Sequence, residues 1–220
     1  MLEWVYRGLR RGRVTTGYPH RDEEPFLGFR GHVDVIGDGP VSESVCPTGA
    51  ITVQAGDVAL DRRRCIMCGE CVARYPERFA FHSTYETAEG VVRERRRSVH
   101  VRHVDAGSDG AEEWEIQALT NPYYDVQRLG IFFTASPRHA DILLVTGGVT
   151  EPMREPLLRT WAVMPAPKAV VAVGTDACSG GLSGLPGVGS VLDVDVHVPG
   201  SPPSPIAILH GILLAMKGLA

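Results

Sequence analysis

The chain has 220 residues, of which 44% are hydrophobic and 22% charged, values typical of a globular protein with one large or two small domains. Its formal net charge of -4 combines +2 on residues 1–104 with -6 on residues 105–220. This asymmetry predicts two different domains and excludes a basic nucleic-acid-binding protein. No apolar stretch reaches the length of a membrane span or of a signal-peptide core, so we expect neither.

Residues 1–30 are predicted to form an N-terminal docking segment. Leu2, Trp4, Val5 and Leu9 alternate with arginines in a pattern that favours an amphipathic surface helix. Two interpretations stay open: a helix docked on a partner subunit or a membrane face, and a plain solvated first helix. In either case contact with the membrane is expected to be indirect or peripheral.

Four of the five cysteines lie within residues 46–71, which indicates cofactor ligation inside a cell and not a disulfide framework. The stretch "CIMCGECVARYPERF" places Cys65, Cys68 and Cys71 at the spacing of a bacterial ferredoxin motif, C-x₂-C-x₂-C-x₃-C-P. Tyr75 stands where the fourth cysteine is expected. The motif is therefore complete only if a cysteine from elsewhere joins these three.

Cys46, which precedes Pro47 in "SVCPTGAITV", supplies the missing ligand, because in two-cluster ferredoxins the fourth cysteine of one run ligates the cluster of the other run. The sequence therefore predicts one [4Fe-4S] cluster on Cys46, Cys65, Cys68 and Cys71. A structural zinc ion on the same sulfurs is the alternative. The same spacing, counted back from Cys46, shows that a second cluster has lost all four ligands, at Ile36, Gly39, Ser42 and Tyr75.

The residues around the cysteines predict a small ferredoxin-like α+β domain over residues 31–97. Between the two cysteine groups, residues 50–61 alternate around Ala55–Gly56–Asp57 and are typical of a short hairpin. The charge run at residues 93–97 is interpreted as a solvated loop or a partner-facing edge.

Residues 98–220 are predicted to form an α/β domain with a mostly parallel, flavodoxin-like sheet. Residues 140–148 and 167–175 are short apolar runs ending in glycine or threonine, as buried parallel strands do. A further strand is predicted at residues 98–107, and helical segments begin near residues 112, 151 and 204. Strands and helices therefore alternate along this half of the chain. In such sheets, functional residues are expected at the carboxyl ends of the strands.

Three long stretches carry a resemblance to a known family. "YDVQRLGIFFTASPRHADILLVTGGVTEPMREPLLRTWAVMPAPKAVVAVG" and "DVHVPGSPPSPIAILHGIL" resemble the small, cluster-bearing 20 kDa subunit of respiratory complex I, group 4 membrane-bound nickel–iron hydrogenases and formate hydrogenlyases. "TTGYPHRDEEPFLGFRG" resembles the ferredoxin-type subunit of the same complexes. The chain thus resembles a fusion of two normally separate subunits. The resemblance implies a non-catalytic subunit of an oxidoreductase, beside a large subunit and membrane-arm subunits, on the cytoplasmic face of the cell membrane.

The resemblance also implies a proximal cluster, whose cysteines are missing here. The family's four ligand positions fall on Asp109, Glu112, Asp176 and Ser201, while Cys178 lies two residues past the expected place. Cys178 alone cannot hold a cubane and is interpreted as a small buried thiol. Three carboxylates that converge on one site must be hydrated, protonated, paired with arginine or bound to a hard cation. A water-filled polar pocket and a divalent, oxygen-ligated metal site therefore both stay open.

Three functions fit these observations. The first is an iron–sulfur electron-transfer subunit of a membrane-associated, hydrogenase-like or complex-I-like oxidoreductase, with one cluster and no proximal cluster. The second is a redox-silent structural or coupling scaffold in a hydrogenase-related complex, which the lost proximal site favours. The third, an independent ferredoxin-type carrier, has little use for the α/β half of the chain.

Overall fold

The structure is a computed structural model, and it describes residues 3–90 and 98–218. Its strands are β1 (His32–Val35), β2 (Ile51–Gln54), β3 (Asp57–Leu60), β4 (Phe79–His82), β5 (Glu89–Gly90), β6 (Val99–Asp105), β7 (Ile131–Phe133), β8 (Ile142–Thr146), β9 (Ala169–Val173) and β10 (Val196–Val198). Its α-helices are α1 (Glu3–Arg11), α2 (Glu70–Arg74), α3 (Ala111–Ala118), α4 (Glu151–Val163), α5 (Thr175–Ser179) and α6 (Pro205–Gly218). Within the described residues, no helix is both long and apolar enough to cross a membrane.

The second half of the chain builds a six-stranded sheet in the order β5–β10–β9–β8–β6–β7. The five strands from β6 to β10 run parallel to their neighbours, and only β5 is antiparallel. The order β7–β6–β8–β9–β10 is the 2-1-3-4-5 order of flavodoxin-like sheets. The predicted α/β fold with a mostly parallel sheet is confirmed.

Both faces of this sheet are covered, which explains the continuous apolar runs in its central strands. β8 and β9 are buried at all five of their residues. Alternate side chains pack beneath α3 and α6 on one face, and beneath α4 and α5 on the other. Cys178 belongs to the second layer, where its Sγ lies 3.5 Å from the carbonyl oxygen of Ala172.

Residues 31–90 form a second, smaller core. β1 pairs with β4 and β2 pairs with β3, both antiparallel and as separate two-stranded sheets. The hairpin expected around residues 55–57 is confirmed, since Ala55 and Gly56 both have positive φ, as a two-residue hairpin turn requires. The assignment of this unit to the ferredoxin-like class stays a prediction.

Two segments of the first half pack on the large sheet. β5 joins its edge through β10, and Tyr18 is buried in its apolar layer. The N–H of Thr16 donates to the carbonyl of Tyr123 at 2.8 Å, and Arg128 donates to the carbonyl of Tyr18 at 2.6 Å. Segments on both sides of the predicted boundary at residue 98 therefore share one sheet. The charge run at 93–97 lies outside the described residues.

Candidate metal centre

The four predicted ligands, Cys46, Cys65, Cys68 and Cys71, line one pocket. Cys46 and Cys65 each follow a short 3₁₀ turn, and Cys71 lies in the first turn of α2. Cys65 and Cys71 are buried, Cys46 is half-buried and Cys68 is exposed. The remaining walls of the pocket are mainly aliphatic, from Val33, Val45, Ile51, Leu60 and Ile66. A fold of residues 31–90 thus brings together thiols that lie 25 residues apart in sequence.

The loop that carries Cys68 is held from outside by Arg30. Its guanidinium donates to the carbonyls of Met67 at 2.9 Å and Cys68 at 2.7 Å, and it lies 5.2 Å from the ring centre of Phe81. Met67 and Gly69 both adopt positive φ, and a Cβ on Gly69 would approach the Phe81 ring to 3.0 Å. Sequence reasoning missed Arg30, although it lies within the stretch that carries the family resemblance.

The pocket shifts the pKa values of three of its thiols, two of them upward and one downward. Burial raises the pKa of Cys65 to about 11, and the three other thiolates add to this effect. Burial likewise raises the pKa of Cys71. For Cys46, burial is outweighed by hydrogen bonds from Thr48 and from backbone N–H groups, including that of Ala50 at 3.2 Å from Sγ, so its pKa is lowered.

Four thiolates can coexist in this pocket only around a positive centre, because each disfavours the charged form of its neighbours. A donor set of four sulfurs suits an iron–sulfur cluster or zinc. The residues present therefore fit a [4Fe-4S] cluster, with N–H groups available to sulfur at Cys46.

The thiol pocket abuts the carboxyl edge of the large sheet. The buried hydroxyl of Thr175, the first residue of α5, donates to the carbonyl of Cys65 at 3.0 Å and also contacts Gly200. The hydroxyl of Ser179 donates to the carbonyl of Arg63 at 3.0 Å. The loop that bears the thiols is therefore fixed to the α/β unit beside the next predicted site.

The four positions predicted to have lost a ferredoxin cluster lie at the surface of the small unit. Ile36, Gly39 and Ser42 are exposed and Tyr75 is half-buried. The N–H of Ser42 donates to the Tyr75 hydroxyl at 3.3 Å, so the structure joins these two positions. Side chains of these four types offer no thiolate to a cluster.

The acidic positions gather around Glu112, where β9 and β10 end. Glu112 lies in the first turn of α3 and is 6% exposed, and its carboxyl occupies the place that a Cβ of Gly174 would take. Asp176 is half-buried in α5, while exposed Asp109 precedes α3 and accepts a hydrogen bond from the N–H of Ala111 at 3.0 Å.

Burial raises the pKa of Glu112 to about 7, and the carboxylates of Asp109, Glu113 and Asp176 add to the shift. Three of the four predicted positions thus share one electrostatic environment. Ser201 is exposed and follows Gly200, whose carbonyl accepts from the N–H of Thr175 at 2.8 Å, so it lies along the same edge. Of the two acids near the start of α3, Glu112 lies in its first turn, whereas Asp109 lies just before the helix.

A polar chain that sequence reasoning missed lies beside these acids. His103 Nε2 is 3.0 Å from the Thr146 hydroxyl, which donates to one carboxylate oxygen of Glu113. The other oxygen of Glu113 accepts from the Ser108 hydroxyl at 2.7 Å. Burial lowers the pKa of His103. His103 thus belongs to this polar chain, whereas His100, on the same strand, is exposed.

Two family models match the chain. That of the 20 kDa subunit of NADH ubiquinone oxidoreductase covers residues 110–215, and that of a 4Fe-4S single cluster domain covers residues 58–111. The second range contains three of the four pocket cysteines.

Similar proteins include a formate hydrogenlyase subunit, a membrane-bound hydrogenase subunit and a chain of an archaeal respiratory membrane complex. Formate hydrogenlyase subunit 7 of Escherichia coli is 43% identical over 126 residues, 55% of this chain and 49% of that subunit, so the chain spans about half its length. The probable membrane-bound hydrogenase subunit mbhJ of Pyrococcus furiosus is 47% identical over 131 residues, 56% of this chain and 77% of that subunit. A chain of the membrane-bound sulfane sulfur reductase, an archaeal respiratory membrane complex, superposes with a TM-score of 0.50 and 30% identity over 57% of this chain and 72% of its own.

Proposed function

The chain belongs to the family of the 20 kDa subunit of NADH ubiquinone oxidoreductase and the membrane-bound hydrogenase subunit, and from this premise we propose that it is an electron-transfer subunit carrying a single [4Fe-4S] cluster. The complex it serves is of the hydrogenase or complex I type and is associated with a membrane. The observation that carries the proposal is the pocket that all four thiols line. When bound, a cluster there supplies one-electron transfer.

We further propose that the proximal cluster of the family has been lost. The residues at its predicted positions are carboxylates and a hydroxyl, and none of them offers the thiolate that holds such a cluster. Cys178 is buried behind α5 in an aliphatic layer, with its pKa raised by burial to about 12. A thiol in such surroundings is inert toward metals.

The exposure of helix α1 supports a peripheral position of the chain, in contact with partner subunits. α1 has no buried residue, and its Trp4 and Leu9 are 75% and 78% exposed. Arg10 and Arg11 occupy its last turn. An apolar stripe with arginines beside it suits a partner subunit or an anionic membrane surface. We place the chain at the cytoplasmic face, in contact with a large subunit and membrane-arm subunits.

The test is metal analysis of the anaerobically purified full chain. Iron and acid-labile sulfide of about four each per chain are expected, since one cubane holds four of each. Cys65→Ser should lose both, whereas Cys178→Ala, a matched control at a buried thiol outside the pocket, should lose neither. Values near eight, or stoichiometric zinc in place of iron, would overturn the proposal.

A scaffold role is the second candidate, favoured by the hydrogen bonds that tie the cysteine loop to α5. The two roles differ in what loss of the cluster does. If the chain is a carrier, Cys65→Ser complexes that still assemble should fail to pass electrons. If it is a scaffold, assembly itself should fail, while complexes that form should keep their electron flow.

A further inference from the structure

Two histidines and an aspartate meet on one face of the small antiparallel pair, away from the thiol pocket. His32 on β1 stands directly opposite His82 on β4, and their rings stack with centroids 5.0 Å apart. Asp34 lies two residues along β1 and so shares this face. Val33 between them points to the opposite face, where it lines the thiol pocket. The two clusters of side chains thus use opposite faces of one strand.

The donor atoms of the three side chains converge. His32 Nε2 lies 3.2 Å from Asp34 Oδ1, and His82 Nδ1 lies 3.8 Å from Asp34 Oδ2. One donor from each side chain falls within 4.8 Å of the others. Ligands held about 2.0–2.2 Å from a metal are about 3–3.5 Å apart, so small side-chain rotations suffice to close the site.

The surroundings hold these donors in a metal-binding form. His32 is 9% exposed, and its Nδ1 has no hydrogen-bond partner within the described residues. Neutral imidazole is the form that binds metals.

Arg62 orients the carboxylate and leaves one of its oxygens available. Its guanidinium lies 2.5 Å from Asp34 Oδ1 and 3.5 Å from Glu89 Oε1. Carboxylates that bind metals are commonly hydrogen-bonded from behind in this way. Asp34 Oδ2 faces His82, whose side chain is 61% exposed, so an ion can enter from solvent.

We propose that His32, Asp34 and His82 bind one divalent transition-metal ion of the class that accepts imidazole together with carboxylate, with Zn²⁺ as its representative. Two imidazoles and a carboxylate are a common zinc donor set that leaves a position for water. The ion fastens β1 to β4 from the face opposite the thiol pocket. So small a core depends on such metal links for its stability.

The test is equilibrium dialysis of the anaerobically purified full chain against buffered Zn²⁺, with zinc and iron counted per chain. About one zinc is expected with the iron content unchanged. His82→Gln and Asp34→Asn should each weaken zinc binding at least tenfold. His100→Gln is the matched control, because its ring also faces a carboxylate, Asp141, at 3.8 Å but has no second histidine opposite it.

Zinc absorption spectroscopy separates this site from the thiol pocket. Nitrogen and oxygen scatterers at about 2.0–2.2 Å support the proposal, whereas sulfur at about 2.3 Å shows that zinc has displaced iron and overturns it. Equal zinc binding by His82→Gln and the unmodified chain also overturns it. Because His82 is exposed, this variant is expected to fold, so the test does not depend on the buried His32.

Discussion

Replacing Glu112 by glutamine should stabilise the protein above pH 7 and have little effect near pH 4.5. The carboxyl is buried against Gly174, and its pKa rises from its ordinary value of 4.5 to about 7 in the folded chain. Between these two values the folded state holds a proton that the unfolded state releases. The free energy of unfolding therefore falls as pH rises through this window, and the loss is complete above pH 7.

The size of the effect follows from the width of the window. At 1.36 kcal/mol per pH unit, the interval from 4.5 to about 7 corresponds to a loss of ~3 kcal/mol. Glutamine has the same shape and cannot ionise, so Glu112→Gln removes this loss. Its gain over the unmodified chain should grow from about zero near pH 4.5 to between 2 and 3 kcal/mol, roughly, at pH 8.

The assay is anaerobic urea unfolding between pH 5 and 8.5, followed by circular dichroism. Asp109→Asn is the control. Because the Asp109 carboxylate is exposed to water, its replacement should change the free energy of unfolding by no more than about 0.5 kcal/mol at any pH. The reasoning would be refuted if the difference in unfolding free energy between Glu112→Gln and the unmodified chain stayed constant from pH 5 to 8.5. An equally large effect of Asp109→Asn would also refute it.

Three further outcomes are expected. Thr175→Val should lower the free energy of unfolding by about 2 kcal/mol or more, because the carbonyl of Cys65 and the N–H of Gly200 each lose a hydrogen-bond partner. Thr175→Ser keeps the hydroxyl, so an equal loss in that variant would contradict this reason. Replacing Trp4 and Leu9 together by alanine should release the chain from its complex or membrane fraction at an unchanged unfolding temperature, and a lowered temperature would show that α1 packs on its own chain. If a proximal site has been lost as proposed, placing cysteine at all four of its predicted positions should raise iron from about four to about eight atoms per chain, while any three should not. The four changes are Asp109→Cys, Glu112→Cys, Asp176→Cys and Ser201→Cys.

The parts of the fold that could be predicted from the sequence are those fixed by local spacing. Three of the pocket cysteines lie within seven residues, and the fourth is marked by the proline that follows it. β8 and β9 were recognisable because both of their faces are buried, which leaves an unbroken apolar run. The hairpin was recognisable because Ala55–Gly56–Asp57 interrupts a run of alternating residues, and Gly56 adopts the positive φ that glycine tolerates.

What could not be predicted depends on pairings between distant segments. The register of β1 against β4 places His32 opposite His82, fifty residues away, and no spacing along the chain indicates this. Tyr18 crosses to the large sheet, and β5 joins that sheet through only two residues, too short for any periodicity. Arg30 holds the cysteine loop by donating hydrogen bonds to two of its carbonyls. These contacts exist only once the loop has reached its final position, so the sequence does not indicate them.

The acidic site can be reconciled with its charge without a bound cation. Stabilisation at a helix N-terminus is about 1 kcal/mol per carboxylate, which is too little to keep three negative charges in a dry pocket. The fold instead exposes Asp109 to water, leaves Asp176 half-exposed, and places only Glu112 in the interior. A pKa of about 7 allows Glu112 to carry a proton, so the one carboxyl that lacks water also lacks a permanent charge. Within this chain, water and a proton therefore account for the charge of the three acids.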